Sequence, residues 1–213
     1  MSNIWFTSDL HFYHFNVIAY CNRPWKTIEE MNEELILRWN AKVGPYDTIY
    51  CLGDFSMAFR AVELFSHRLN GIKYLVPGNH DFCHSYHKRS RAVENKAKWI
   101  SKYEEFGWIV LPEISYISSV PGIRLCHLPY SEDVNQDKYQ KFRPEDDGKI
   151  LLCGHVHEKW KVRYTKKRTL MINVGVDVWN WEPVSLAEIE ELMGIGEFCR
   201  DCHSCLTPCG KEE

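Results

Sequence analysis

Lys73-Tyr74-Leu75-Val76-Pro77-Gly78-Asn79-His80-Asp81 reads as a short buried strand that breaks into a polar loop. The apolar run is too short for a helix, and Pro77-Gly78 closes it with a turn signal. A carboxamide, an imidazole and a carboxylate then follow in succession. The same layout recurs on both sides of it. Ile4-Trp5-Phe6-Thr7 leads into Ser8-Asp9-Leu10-His11, and Thr48-Ile49-Tyr50-Cys51-Leu52 into Gly53-Asp54. Ile123-Arg124-Leu125-Cys126 leads into His127, and Lys149-Ile150-Leu151-Leu152-Cys153 into Gly154-His155-Val156-His157. Leu170-Met171-Ile172-Asn173-Val174 is a sixth run of the same kind. Short apolar runs bounded by turn residues are the pattern of buried strands.

Amphipathic helices fall between the strands. Thr27-Ile28-Glu29-Glu30 has the form of a capping box, followed by Ile28, Met31, Leu35, Ile36 and Trp39 at helical spacing and a stop at Gly44-Pro45. Further helices are predicted over 58–69 and roughly 91–106. Strands alternating with helices define an α/β layered fold, in which ligands gather in the loops beyond the strand ends. A composition shift at Met193-Gly194 divides the chain into a domain over 1–193 and a Cys-rich tail over 194–213.

Composition narrows the function classes. The 26 Lys+Arg against 29 Asp+Glu give a net charge of -3, which argues against a protein that coats nucleic acid through global charge. No window approaches eighteen consecutive apolar residues, and the start of the chain has no basic leader, so the reading is a cytoplasmic chain with no membrane partner. Five of the nine Cys are scattered in the body, mostly inside apolar runs, as small hydrophobes.

Two carboxylates, a carboxamide and several imidazoles at strand ends form a mixed oxygen and nitrogen ligand set. Such sets suit Mn, Fe, Zn, Ni or Co better than Ca or Mg. The ligands are too many for one four-coordinate ion, and two ions with a shared carboxylate fit the count. Asp9 and His11, two apart, face one side if the strand continues extended.

In this order, Asp9-x-His11, Gly53-Asp54, Gly78-Asn79-His80-Asp81, His127 and Gly154-His155-Val156-His157 resemble the calcineurin-like metallophosphoesterase superfamily over residues 3 to about 190. The opening Thr7-Ser8-Asp9-Leu10-His11-Phe12-Tyr13-His14-Phe15-Asn16, with Cys21-Asn22-Arg23-Pro24, looks like its short bacterial and phage members. The resemblance implies a four-layer α/β/β/α sandwich of two mixed sheets flanked by helices. It implies a phosphoesterase that hydrolyses a phosphate diester or monoester by attack of a hydroxide bridging two divalent transition-metal ions (Mn, Fe, Zn or Ni). It assigns Asp9, His11 and His157 to the first metal, Asn79, His127 and His155 to the second, and Asp54 to both. His80 then acts as the acid, oriented by Asp81.

Other residues are open to two readings. His14 either touches substrate or supports the fold, and Arg23 either grips a phosphate or sits in a solvated turn. Basic clusters at 88–102 and 159–168, the second carrying Lys159 and Arg163 on a hairpin with one basic face, either guide an anionic substrate such as a nucleotide or nucleic-acid end or are solvated surface. Cys199, Cys202, Cys205 and Cys209 have the spacing of a zinc site or, ranked lower, an iron–sulfur run, and otherwise form a mobile tail. A reading from another class is a catalytically silent interaction scaffold whose working part is this tail.

Overall fold

The computed structural model describes residues 2–88, 93–117, 120–131 and 137–198. In chain order the elements are β1 (Ile4–Thr7), α1 (Phe15–Tyr20), α2 (Ile28–Lys42), β2 (Thr48–Cys51), α3 (Phe59–Phe65), β3 (Ile72–Leu75), α4 (Val93–Glu105) and β4 (Trp108–Val110). They continue with β5 (Ile114–Tyr116), β6 (Ile123–Cys126), β7 (Ile150–Cys153), β8 (Val162–Tyr164), β9 (Leu170–Asn173), β10 (Val184–Ser185) and α5 (Leu186–Phe198). The strands form two five-stranded mixed sheets flanked by helices, ordered β10-β1-β2-β3-β4 and β5-β6-β7-β9-β8.

The register explains why the polar loops converge. β1, β2 and β3 run parallel with Thr7, Cys51 and Leu75 side by side at their ends. In the second sheet, β6, β7 and β9 run parallel and Cys153 stands opposite Asn173. A bridge between Ser8 and Gly175 joins the ends of the two sheets. Everything that follows β1, β2, β3, β6 and β7 is therefore delivered to one rim.

Three apolar layers hold this frame. Phe6, Leu52 and Val76 from the first sheet meet Leu125, Leu152 and Ile172 from the second, and all six are fully buried. On the other face of the first sheet, Met31, Leu35 and Trp39 of α2 pack with Ile49, Cys51 and Leu75. Each such side chain contributes about 1.5–3 kcal/mol of burial. Half of the capping box forms: the Thr27 hydroxyl accepts from Glu30 N at 3.1 Å, but the Glu30 carboxylate accepts from Lys26 N, one residue before the cap, at 3.0 Å. The outer face of the second sheet is covered by Leu128, Tyr130 and Tyr139 over Cys126, Leu151 and Met171.

The body cysteines are core filler as predicted: Cys51, Cys83, Cys126 and Cys153 are buried, and none is in a disulfide. β8 and β9 form the predicted hairpin, with Lys159, Lys161 and Arg163 exposed and Trp160, Val162 and Tyr164 half-buried. Helix α5 crosses the compositional boundary at 193/194. The four tail cysteines, and Arg89 and Arg91 of the first basic cluster, lie outside the described residues. Among the described residues no helix is long and apolar enough to cross a membrane.

Candidate metal centre

Five of the seven residues read as ligands have a left-handed backbone: Asp9 (φ 59°), His11 (51°), Asp54 (50°), His155 (71°) and His157 (51°). For non-glycine residues this conformation is unfavourable by roughly 1–2 kcal/mol each. Asp9 and His11 thus reach the same side not along a continuing strand, as predicted, but through successive left-handed residues. Each reversal is pinned to a neighbouring loop, with Asp9 N donating to Gly53 O and His11 N to Asp54 O, both at 3.0 Å. Glycines permit the loops to close. A Cβ on Gly154 would overlap the Ser8 hydroxyl and the Asp9 carboxylate, and one on Gly78 would overlap Asp54.

The side chains fall into two groups. Asp9, His11 and His157 bring one ligand atom each within 4.8 Å of one another, and Asp54, His127 and His155 do the same. Each carboxylate uses one oxygen for the backbone and aims the other inward. Asp9 Oδ2 accepts from His155 N at 2.9 Å, while Oδ1 lies 3.8 Å from both His11 Nε2 and His157 Nε2. Asp54 Oδ1 accepts from His80 N at 2.8 Å, while Oδ2 lies 3.6 Å from His11 Nε2 and 3.3 Å from His127 Nε2. Asp54 Oδ2 therefore faces a member of each group.

The test of whether these residues fit metal ions is what their buried atoms do otherwise. Asp9 Oδ1, both nitrogens of His11, both polar atoms of the Asn79 side chain and His127 Nε2 are buried and without hydrogen-bond partners among the described residues. Buried polar atoms are normally paired, and here six that are not belong to residues of one rim. The tautomers agree. His127 Nδ1 lies 2.7 Å from Leu52 O, so it carries the proton and Nε2 keeps its lone pair. His157 Nδ1 lies 2.8 Å from Asp177 Oδ2, to the same effect. Histidines held this way are the usual metal-binding form. The residues fit.

Electrostatics follows from this crowding. Burial disfavours a charged His127, yet the Asp54 carboxylate raises its pKa to about 9. Burial likewise acts against a charged His157, but Asp9 and Asp177 raise its pKa to about 11. Asp9 and Asp54 are pushed upward by burial and then pulled below the usual carboxylate range by His157 and His127 respectively. Burial and the His127 charge lower His155 to about 3. Without cations the carboxylates thus draw protons onto two of the imidazoles.

Two expectations fail here. Arg23 neither faces a phosphate nor lies in a solvated turn: its side chain is fully buried and pairs with Asp177 at 2.8 Å. Its guanidinium also donates to Asp9 O at 2.6 Å and Leu10 O at 2.9 Å. Asp81 does not orient His80. It is fully buried, and its oxygens accept from Asp54 N and Gly78 N at 2.8 Å and Phe55 N at 3.2 Å. Three backbone donors converge on Asp81, so it joins two loops instead. Burial and the Asp54 charge push its pKa up to about 7.

His80 itself stands at the opening, with its side chain 40% exposed and Nε2 4.0 Å from Asp54 Oδ2. The His14 ring lies 5.3 Å from that of His11, with Nδ1 buried and without a hydrogen-bond partner among the described residues. Burial and the nearby His11 lower its pKa to about 4. Lys159 is exposed two residues after His157, and Arg163 is exposed on β8. The residue that sequence reading missed is Asp177. The signal was present, because the sixth apolar run also ends in a glycine followed by a carboxylate, Gly175-Val176-Asp177.

Two mixed sheets with carboxylates and imidazoles gathered at their joined rim define a candidate metal centre. The chain belongs to the calcineurin-like phosphoesterase family, whose model matches residues 2–159. It is 32% identical over 211 residues to the Gene 66 protein of Mycobacterium phage L5, covering 91% of this chain and 95% of that one. It is 31% identical over 208 residues to the uncharacterized protein MJ1445 of Methanocaldococcus jannaschii, covering 94% and 96%. Among solved structures it is similar to the protein of unknown function AQ665 from Aquifex aeolicus, with a TM-score of 0.64 and 26% identity over 90% of this chain and all of that one.

Proposed function

We propose that this chain hydrolyses phosphate esters at a dinuclear centre, with Asp9, His11 and His157 holding one divalent cation, Asn79, His127 and His155 the other, and Asp54 shared. The observation that carries the reading is Asp54 Oδ2, 3.6 Å from His11 Nε2 and 3.3 Å from His127 Nε2. Manganese, iron, zinc and nickel all suit this donor set. Divalent cations bound there supply Lewis-acid neutralisation of the phosphate and activation of water near neutral pH.

The chain's own groups do the rest. His80 is open to solvent and adjacent to the shared carboxylate, so it is suited to protonate the leaving oxygen. His14, beside His11 with a nitrogen unpartnered among the described residues, is suited to contact a phosphate oxygen. The surroundings support a substrate class. Residues 12–21 carry no Asp, Glu, Lys or Arg, and Phe15 and Tyr20 there are 60% and 69% exposed. On the His155 side, Tyr139 packs edge-on at 5.1 Å and Lys138 lies 4.9 Å above its ring. An uncharged aromatic segment around His14 and a lysine–tyrosine pair beside His155 suit a nucleotide, as a diester or at a nucleic-acid end. Lys159, two residues after His157, and Arg163 on β8 are further exposed cations suited to an anionic substrate. The cytoplasm is the proposed setting, and a zinc ion on Cys199, Cys202, Cys205 and Cys209 is a separate proposal. Replacing all four cysteines by serine lowers bound zinc by one ion if it is right.

Five candidate ligands in a strained backbone favour a working site over the scaffold reading, since a silent site has no use for that strain. The test is hydrolysis of an aryl phosphodiester, an aryl phosphomonoester and a panel of nucleotides with added Mn, Fe, Zn or Ni. His80→Ala is expected to lower turnover by about 10²–10⁴-fold while bound metal stays constant. No hydrolysis of any ester by a metal-loaded chain refutes the proposal.

A further inference from the structure

Most of the molecule's remaining charged clusters have a local structural explanation. Asp146, for example, ties the β8–β9 turn through Thr165 and Thr169, both at 2.6 Å. The Arg23–Asp177 pair does not, because it reaches the metal centre from behind. The two side chains are 0% and 1% exposed. A buried ion pair is costly to desolvate and by itself a poor source of stability, so its presence calls for a function.

We infer that Arg23 and Asp177 are positioning residues for the first metal group, and that they set its affinity without setting that of the second. The inference rests on the proposed dinuclear reading. Arg23 comes from the loop after α1 and Asp177 from the segment after β9, so the pair spans the two sheets. Arg23 Nε and Nη2 grip the two oxygens of Asp177 at 2.8 and 3.1 Å. Arg23 Nη2 and Nη1 also hold Asp9 O and Leu10 O. Those carbonyls lie between the left-handed residues Asp9 and His11, so one guanidinium fixes the backbone that presents both. Asp177 Oδ2 accepts a hydrogen bond from His157 Nδ1–H, which turns His157 Nε2 toward Asp9 Oδ1. All three members of the first group thus depend on one ion pair. Of the second group, His127 is oriented instead by Leu52 O. No hydrogen bond or ion pair links Arg23 or Asp177 to Asn79, His127 or His155.

The test uses the full chain. Manganese binding is followed by calorimetry for wild type, Asp177→Asn and Arg23→Lys. The His157 Nδ1 proton of the zinc-loaded protein is followed by nitrogen-edited NMR. Loss of an outer hydrogen-bond partner weakens metal binding by about 10–100-fold. Asp177→Asn is expected to weaken one manganese step by that factor and leave the other within about threefold. The downfield Nδ1 proton signal is expected to disappear. Arg23→Lys keeps the charge but not the fork, and is expected to fall between. If Asp177→Asn does not fold, the double variant Arg23→Leu/Asp177→Leu, which leaves no unpaired buried charge, is expected to give the same one-step loss. Equal weakening of both steps, or a lower melting temperature with both affinities unchanged, overturns the inference. Wild type that binds no manganese overturns the dinuclear reading beneath it, which is a distinguishable result.

Discussion

Replacing Asp81 tests what joins the loops of the centre. Its carboxylate accepts from Asp54 N, Gly78 N and Phe55 N at 2.8, 2.8 and 3.2 Å, and is shielded completely from water. Asp81→Ala leaves three buried N–H donors unpaired. Each unsatisfied donor destabilises by about 1–3 kcal/mol, so the loss is at least about 3 kcal/mol from a total stability on the order of 5–15 kcal/mol. Asp81→Asn keeps an acceptor for the two donors that share Oδ2 but turns its amide toward Phe55 N–H, at about 1–3 kcal/mol. The expected order is wild type, then Asn, then Ala, measured by urea unfolding in chelator so that metal affinity does not enter. Manganese affinity should fall in the same order, because Asp54 is carried by the backbone that Asp81 holds. An Asp81→Ala chain within about 1 kcal/mol of wild type, with only the pH profile of turnover altered, would refute this reasoning and return Asp81 to His80.

Three further outcomes are expected. Gly154→Ala sets a methyl group against Ser8 Oγ and Asp9 Oδ2, and should be destabilised by about 1–3 kcal/mol and lose metal, as read by thermal melting and metal analysis. Burial lowers the His84 pKa to about 4 although Glu113 opposes it, and His84 Nδ1 accepts from Tyr86 N at 2.9 Å. Protonating Nδ1 expels that donor. A group whose folded pKa is depressed contributes stability above its unfolded value, near 6.5, and loses it as pH falls. Roughly 3 kcal/mol should be lost between pH 6.5 and 4, and His84→Gln should flatten this part of the urea-derived stability profile. Manganese at a hundred times its dissociation constant should add about 2.7 kcal/mol per site, or roughly 5–10 °C in melting temperature over the chelated protein. Identical melting with and without manganese would count against both sites.

The limits of sequence reading have a physical pattern. The six runs read as strands are β1, β2, β3, β6, β7 and β9, which are the six inner strands of the two sheets. Covered on both sides, they appear as continuous apolar runs. The edges β4, β5 and β10 were not read as strands. They have two or three residues each, and Ile109, Ile114 and Tyr116 on them are exposed, so their composition resembles a loop. β8, the fourth edge, was legible only through basic alternation. The candidate ligands are legible because glycines and strand ends mark them. Arg23, Asp81 and Asp177 were not, because their roles depend on backbone atoms brought from distant loops. Spacing along a chain does not encode which carbonyl or amide a side chain will meet.

The left-handed candidate ligands carry a consequence for selection. His11 combines a positive φ with two buried ring nitrogens that no other described group satisfies. For stability alone it is a poor occupant of its position, and glycine or asparagine would suit the backbone better. A library of this chain sorted only for protease resistance, in chelator, should therefore drift away from histidine at that position. The same library sorted for metal retention should keep it. The two outcomes together would measure how far fitness for binding and fitness for folding diverge at a single residue.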